Sequence, residues 1–83
     1  MLEELEHQLK DRFPSMSLRG SGDAIFIFIQ EASGAVEASV HDGLIWIEFW
    51  NDNDESPVVE ETFRDVSAAR VAILTWLTNG NSS

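Results

Sequence analysis

Apolar residues follow two rhythms along this chain, and the rhythms occupy separate blocks. Leu2, Leu5, Leu9 and Phe13 recur at spacings of three, four and four, which places them on one stripe of a helix. Glu3, Glu4 and Glu6 stand near its start and Lys10 and Arg12 near its end, the order that suits a helix dipole. Glu6 and Lys10 form a favourable i,i+4 pair. Pro14 disfavours helical geometry at Phe13 and ends the run. A second helical stripe closes the sequence: Val66, Ala69, Ile73 and Leu77, with Ala72 and Trp76 beside it. Asp65 is its expected N-cap and Asn79–Gly80 its stop.

Between the helices the pattern is that of strands. "AIFIFIQE" (24–31) is rich in β-branched and aromatic residues, "AVEASVH" (35–41) alternates, and "LIWIEFW" (44–50) follows. Ser33–Gly34 separates the first pair. Asp42–Gly43 separates the second and is a strong hairpin signal, because a type I′ turn needs positive φ at both central residues. "SMSLRGSGD" (15–23) reads as a connection that admits a short strand at Met16–Leu18. Its "GSGD" lacks the spacing and lysine of a phosphate loop and precedes no helix, so it reads as a turn. Beyond the polar "NDNDES" and Pro57, "VVEETF" (58–63) reads as a weaker, edge strand. Its register stays open: Val59 and Phe63 point inward, or Val58 and Thr62 if the loop is one residue longer.

The element order is α-β-β-β-(β)-α. It predicts an α+β two-layer sandwich, an antiparallel meander sheet with both helices on one face. Eighty-three residues make one domain, 1–83, with 79–83 a frayed tail.

Two-residue turns would sort the faces. Around Asp42–Gly43, Val40 meets Ile45, Ala38 meets Ile47 and Val36 meets Phe49, while Ser39 meets Trp46, Glu37 meets Glu48 and Ala35 meets Trp50. Around Ser33–Gly34, Ile29 meets Ala38 and Ile27 meets Val40, with Phe28 opposite Ser39 and Gln30 opposite Glu37. The core face is then Ile25, Ile27, Ile29, Val36, Ala38, Val40, Ile45, Ile47 and Phe49. The other face mixes Phe26, Phe28, Leu44, Trp46 and Trp50 with Gln30, Glu37, Ser39, His41 and Glu48. Its polar groups forbid full burial without partners. Four half-exposed aromatics would leave an apolar patch on the order of 400 Å², near the size at which patches are functional.

Charge changes the picture most. Fifteen Asp and Glu against five Lys and Arg give a formal net of −10. Such a surface repels nucleic-acid phosphates and anionic membranes and favours a basic partner. No apolar run is long enough to span a bilayer, and the charged start does not resemble a secretion signal. The cysteine count is zero, which rules out disulfides and thiolate metal sites and fits a cytoplasmic location.

Catalytic chemistry is sparse. His7 lies on the polar side of the first helix. Ser39 and His41 share a strand face, yet no third group orients them. Asp52, Asp54 and Ser56 mimic the first positions of a calcium loop. Pro57 stands where that loop needs glycine and Phe63 where it needs glutamate, so no metal site is expected. The helix–strands–helix order resembles, in topology alone, the double-stranded RNA-binding domain. That domain holds phosphates with lysines at the start of its second helix, where this chain has Arg64, Asp65 and Arg70.

The resulting expectation is a non-enzymatic protein-interaction module without cofactor. Its partner is a protein with a basic surface, one concrete version being an inhibitor or immunity-type binder. The binding residues expected are Phe26, Phe28, Trp46, Glu48 and Trp50 on the open sheet face, with Asp52, Asp54 and Glu55 in the acidic loop. The alternative is a homodimer that packs two aromatic faces together, and a small enzyme or ligand carrier comes third.

Overall fold

The computed structural model describes residues 2–32, 34–51 and 56–79. Helix α1 (Leu2–Lys10) leads through Pro14 into strand β1 (Ser17–Arg19), and a 3₁₀ turn at Gly22–Ala24 precedes β2 (Phe26–Glu31). Strands β3 (Gly34–His41), β4 (Leu44–Asn51) and β5 (Val59–Phe63) follow, then helix α2 (Val66–Asn79). The five strands pair antiparallel in sequence order, β1-β2-β3-β4-β5, and both helices pack on the sheet. The α+β sandwich and the meander therefore stand as the sequence predicts, with a fifth strand added where the connection admitted a short one. No helix among the described residues is long and apolar enough to cross a membrane.

The helix stripes land where their spacing put them. Leu5, Leu9 and Phe13 are buried, and so are Val66, Ala69, Ile73 and Leu77. Phe13 N–H donates to Leu9 C=O at 2.9 Å, so the last helical turn still positions Phe13 although Pro14 stops the helix. The Asp65 carboxylate accepts from Ala68 N–H at 3.3 Å, the N-cap bond to the third helical residue. Helix α2 runs through Asn79, one residue into the stretch expected to fray. Its Trp76 indole donates to the Trp50 carbonyl at 2.9 Å, and its ring tilts against Phe49 at 5.3 Å between centroids. These two contacts fasten the helix to β4. The helix stripes join Ile27, Ile29, Val36, Ala38, Ile45, Ile47 and Phe49 in one core.

The Asp42–Gly43 turn has the expected geometry: φ is 54° at Asp42 and 75° at Gly43. The β3–β4 register is the expected one, with Val40 opposite Ile45 and Glu37 opposite Glu48. The first hairpin differs. Glu31 stands opposite Gly34, so Gly34 opens β3 and is not part of the turn. Ile29 consequently meets Val36 and Ile27 meets Ala38, while Phe28 meets Glu37 and Gln30 meets Ala35. The shift is two residues. It leaves every side chain on its expected face, because faces alternate with a period of two. Hydrophobic patterning forbids a one-residue slip and is silent on two.

Packing supplies the reason Gly34 belongs inside the strand. It pairs with Asn51, and a Cβ there would run into the Trp50 carbonyl oxygen and lie 3.2 Å from the Trp76 indole nitrogen. Only glycine leaves that carbonyl open to its indole donor.

Ile25 departs from its expected place. It precedes β2, follows the 3₁₀ turn and is 39% exposed, because the chain is still turning there and the strand alternation has not begun. Val40 is only partly buried against the core, near the end of its strand. The open question of β5 resolves to the shorter option. Phe63 pairs with Ile45 and Val59 with Phe49, and Phe63 packs against the core while Val59, at the edge, stays 37% exposed.

Candidate functional site

The face of the sheet away from the helices is organised in rows that cross the strands. Registers on both sides of β4 set Ser39, Trp46 and Thr62 in one row and Glu37, Glu48 and Glu60 in the next. Phe28 extends the glutamate row onto β2, and Ser17 onto β1. Trp50 and Ala35 form the row beyond, with Gln30 across from Ala35. Three carboxylates thus stand side by side on adjacent strands, about 5 Å apart strand to strand, between one row that carries Trp46 and another that carries Trp50.

The two β4 tryptophans have different roles. Trp46 is 46% exposed, and its indole makes a long bond of 3.4 Å to the His41 carbonyl. Trp50 is half-buried, and its backbone oxygen anchors α2. Phe26 and Phe28 are half-buried. The Arg19 guanidinium lies over the Phe28 ring, 4.2 Å from its centroid, a cation–π contact on this same face.

A concavity of about 450 Å³ opens here, lined by Phe26, Glu37, Ser39, Trp46, Glu48 and Glu60 among others. Phe28 and Trp50 do not line it. Of the expected binding residues, then, the fold gathers Phe26, Trp46 and Glu48 into the concavity and leaves Phe28 and Trp50 flanking it. Asp52, Asp54 and Glu55 lie outside the described residues. Glu37 and Glu60 enter the site in addition. Glu37 was legible as the partner of Glu48, while Glu60 waited on the register of β5, which a seven-residue connection does not fix.

The electrostatics follow from this crowding. Burial pushes the Glu48 carboxyl above its ordinary range, and a hydrogen bond with Glu60 and the charges of Glu37 and Glu60 push it further. Two carboxyl groups can share a hydrogen bond only if one holds a proton. Burial raises Glu37 as well, and the nearby Arg19 guanidinium offsets part of that rise. Among the described residues the charges that act on Glu48 are both carboxylates, whereas Glu37 has a cation beside it.

Chemically, such a surface suits a cation with an organic body. The carboxylates run in a row across strands, and among the described residues no three ligating groups converge as a metal site would need. Ser39 and His41 also border the concavity, two residues apart on one face of β3 and so about 7 Å apart along the strand. No family model, curated protein or solved structure matches this chain.

Proposed function

We propose that this protein is a non-enzymatic interaction module whose open sheet face docks a basic surface of another protein, in the manner of an inhibitor or immunity-type binder. The observation that carries the reading is the Glu37–Glu48–Glu60 row set beside an exposed Trp46. An aromatic anchor with a charged surround is the anatomy of a protein interface. A formal net charge of −10 would draw a basic partner in and speed encounter. The cytoplasm is the proposed location, where a cysteine-free chain needs no oxidising partner.

The same row weighs against a homodimer built face to face. A two-fold axis through this face would bring three carboxylates of one copy toward the same three of the other. The aromatic area that would drive such a dimer is interrupted by the charges that oppose it.

The test couples capture to mapping. A basic partner recovered by the wild-type protein should be lost with Trp46→Ser and with Glu48→Gln/Glu60→Gln. It should be retained with Glu61→Gln, which removes one charge from β5 on the opposite side of the sheet. Light scattering should return one mass across a concentration series. A partner that ignores the Trp46 and Glu48/Glu60 variants overturns the reading. So does a concentration-dependent dimer that Trp46→Ser abolishes.

A further inference from the structure

We propose that the concavity bordered by Phe26, Trp46, Glu37, Glu48 and Glu60 receives a single arginine side chain from the partner, its guanidinium bridging the Glu48 and Glu60 carboxylates and its flat face against the Trp46 indole. This inference rests on the docking reading above.

Three observations point to arginine. First, the face already seats a guanidinium in the same way within the chain. Arg19 stacks on Phe28 at 4.2 Å, and Phe28 is the register partner of Glu37. Moving two strands along the glutamate row, past Glu37, the pattern of ring and carboxylate recurs, now with Trp46 in the neighbouring row and with Glu48 and Glu60 side by side. Arg19 lies over Phe28 beside Glu37, and among the described residues the charges that act on Glu48 are those of Glu37 and Glu60, so the second arrangement of ring and carboxylates has the makings of a guanidinium seat.

Second, the geometry favours a fork over a point charge. Glu48 and Glu60 sit directly opposite on adjacent strands and lie within hydrogen-bond reach of each other. A planar guanidinium with five donors can bond both carboxylates at once, whereas an ammonium places its charge at one point. Third, the wall is aromatic. A guanidinium is weakly hydrated and stacks on indole, so it loses less on entering a half-enclosed apolar hollow than an ammonium does. A space of about 450 Å³ is ample for one arginine side chain with part of its backbone.

The probes are three short blocked peptides of one sequence, with arginine, lysine or citrulline at the central position. The readout is the set of three tryptophan indole N–H signals in a ¹⁵N spectrum of the full chain. The arginine peptide should shift the Trp46 indole with a Kd on the order of millimolar, as befits one anchoring side chain. The Trp76 indole, bonded to the Trp50 carbonyl, should stay put and report an intact fold. Lysine should bind several-fold more weakly, and citrulline, equal in shape but uncharged, should leave Trp46 unmoved. Glu48→Gln/Glu60→Gln should raise the Kd about tenfold or more, and Trp46→Leu should raise it with the carboxylates intact.

Equal shifts from citrulline and arginine overturn the proposal, as does lysine binding as tightly as arginine or an unchanged Kd in the double Gln variant. A basic protein that docks on the face while the arginine peptide leaves Trp46 untouched overturns this inference and leaves the docking reading standing. Arginine-peptide binding with no basic protein on the face does the reverse.

Discussion

Replacing Glu48 by glutamine should make the fold more stable, although it alters a half-buried, hydrogen-bonded side chain. Glu48 stands directly between Glu37 and Glu60 in the cross-strand row, so its charge faces a like charge on either side. A directly opposed like-charge pair on a sheet costs a few tenths to about 1 kcal/mol. Two such pairs would set an upper bound near 2 kcal/mol, but the Glu48 carboxylate still meets water, which screens part of the repulsion. We expect a gain of about 0.5–1 kcal/mol at neutral pH. Glutamine adds a donor, so the bond to Glu60 persists without a proton having to be taken up. For a domain of this length the gain corresponds to a rise in Tm of roughly 2–8 °C.

The pH dependence carries the sharper test. The folded state holds the Glu48 and Glu37 carboxyls above their ordinary range, so over the window between the ordinary and the raised values the folded chain binds more protons than the unfolded chain. Stability then falls as pH rises through that window, the reverse of a salt-bridged carboxylate. The cost is fully present above the raised value and relieved below the ordinary one. Wild-type protein should therefore gain stability as the pH falls from neutrality toward the ordinary carboxylate range, and Glu48→Gln should flatten that gain. Lowering net charge also stabilises an acidic protein, so Glu61→Gln is the control with the same change in charge. Urea titrations at several pH values, read by far-UV circular dichroism, measure all three proteins. A Glu48→Gln variant no more stable than Glu61→Gln, or one that keeps the wild-type slope of stability with pH, would refute this account of the glutamate row.

Gly34→Ala should cost about 2 kcal/mol, because the new methyl collides with the Trp50 carbonyl and crowds the Trp76 indole nitrogen; thermal melts read the loss, and an unchanged Tm would mean that the α2 anchor is not where we place it. Gly43→Ala should cost about 1 kcal/mol, since φ of 75° strains any side chain, with the urea midpoint lowered and the m-value unchanged. Trp46→Ser should change stability by less than about 1 kcal/mol while Ile73→Ala costs about 2–5 kcal/mol; the opposite ranking in chemical denaturation would put Trp46 in the core.

Much of this fold was legible because its signals are redundant. Leu5, Leu9 and Phe13, or Val66, Ala69, Ile73 and Leu77, each repeat one spacing several times, and a helix that buried any other stripe would expose them all. The Asp42–Gly43 turn combines a residue pair that tolerates positive φ with flanking alternation, and the two agree on one register. Failures came where one signal acted alone. Ser33–Gly34 looks like a turn by composition, yet Gly34 is needed inside the strand, for a contact with Trp50 that no local pattern announces. Ile25 continues an apolar run by residue type, and the preceding turn swings it out to solvent. Glu60 could not be set beside Glu48 because the connection from β4 to β5 is too long to transmit parity.

The candidate site inherits this division. Trp46 and Glu48 could be assigned to the open face from one hairpin, and a two-residue slip in the other hairpin could not have moved Phe26 off it. Three glutamates in a row exist only once five strands are in register. That row is a local conflict, sharpest at Glu48, which faces a like charge on either side. Conflicts of that kind concentrate where a surface serves something other than its own folding. The carboxylate row and the docking proposal therefore stand on one measurement in opposite directions. If Glu48→Gln stabilises the fold and weakens the hold on arginine, the repulsion among the glutamates is the cost of a seat kept ready for a positive charge. If it stabilises the fold and changes no binding, the row is a tolerated accident of the strand registers, and the aromatic face must find its occupant without it.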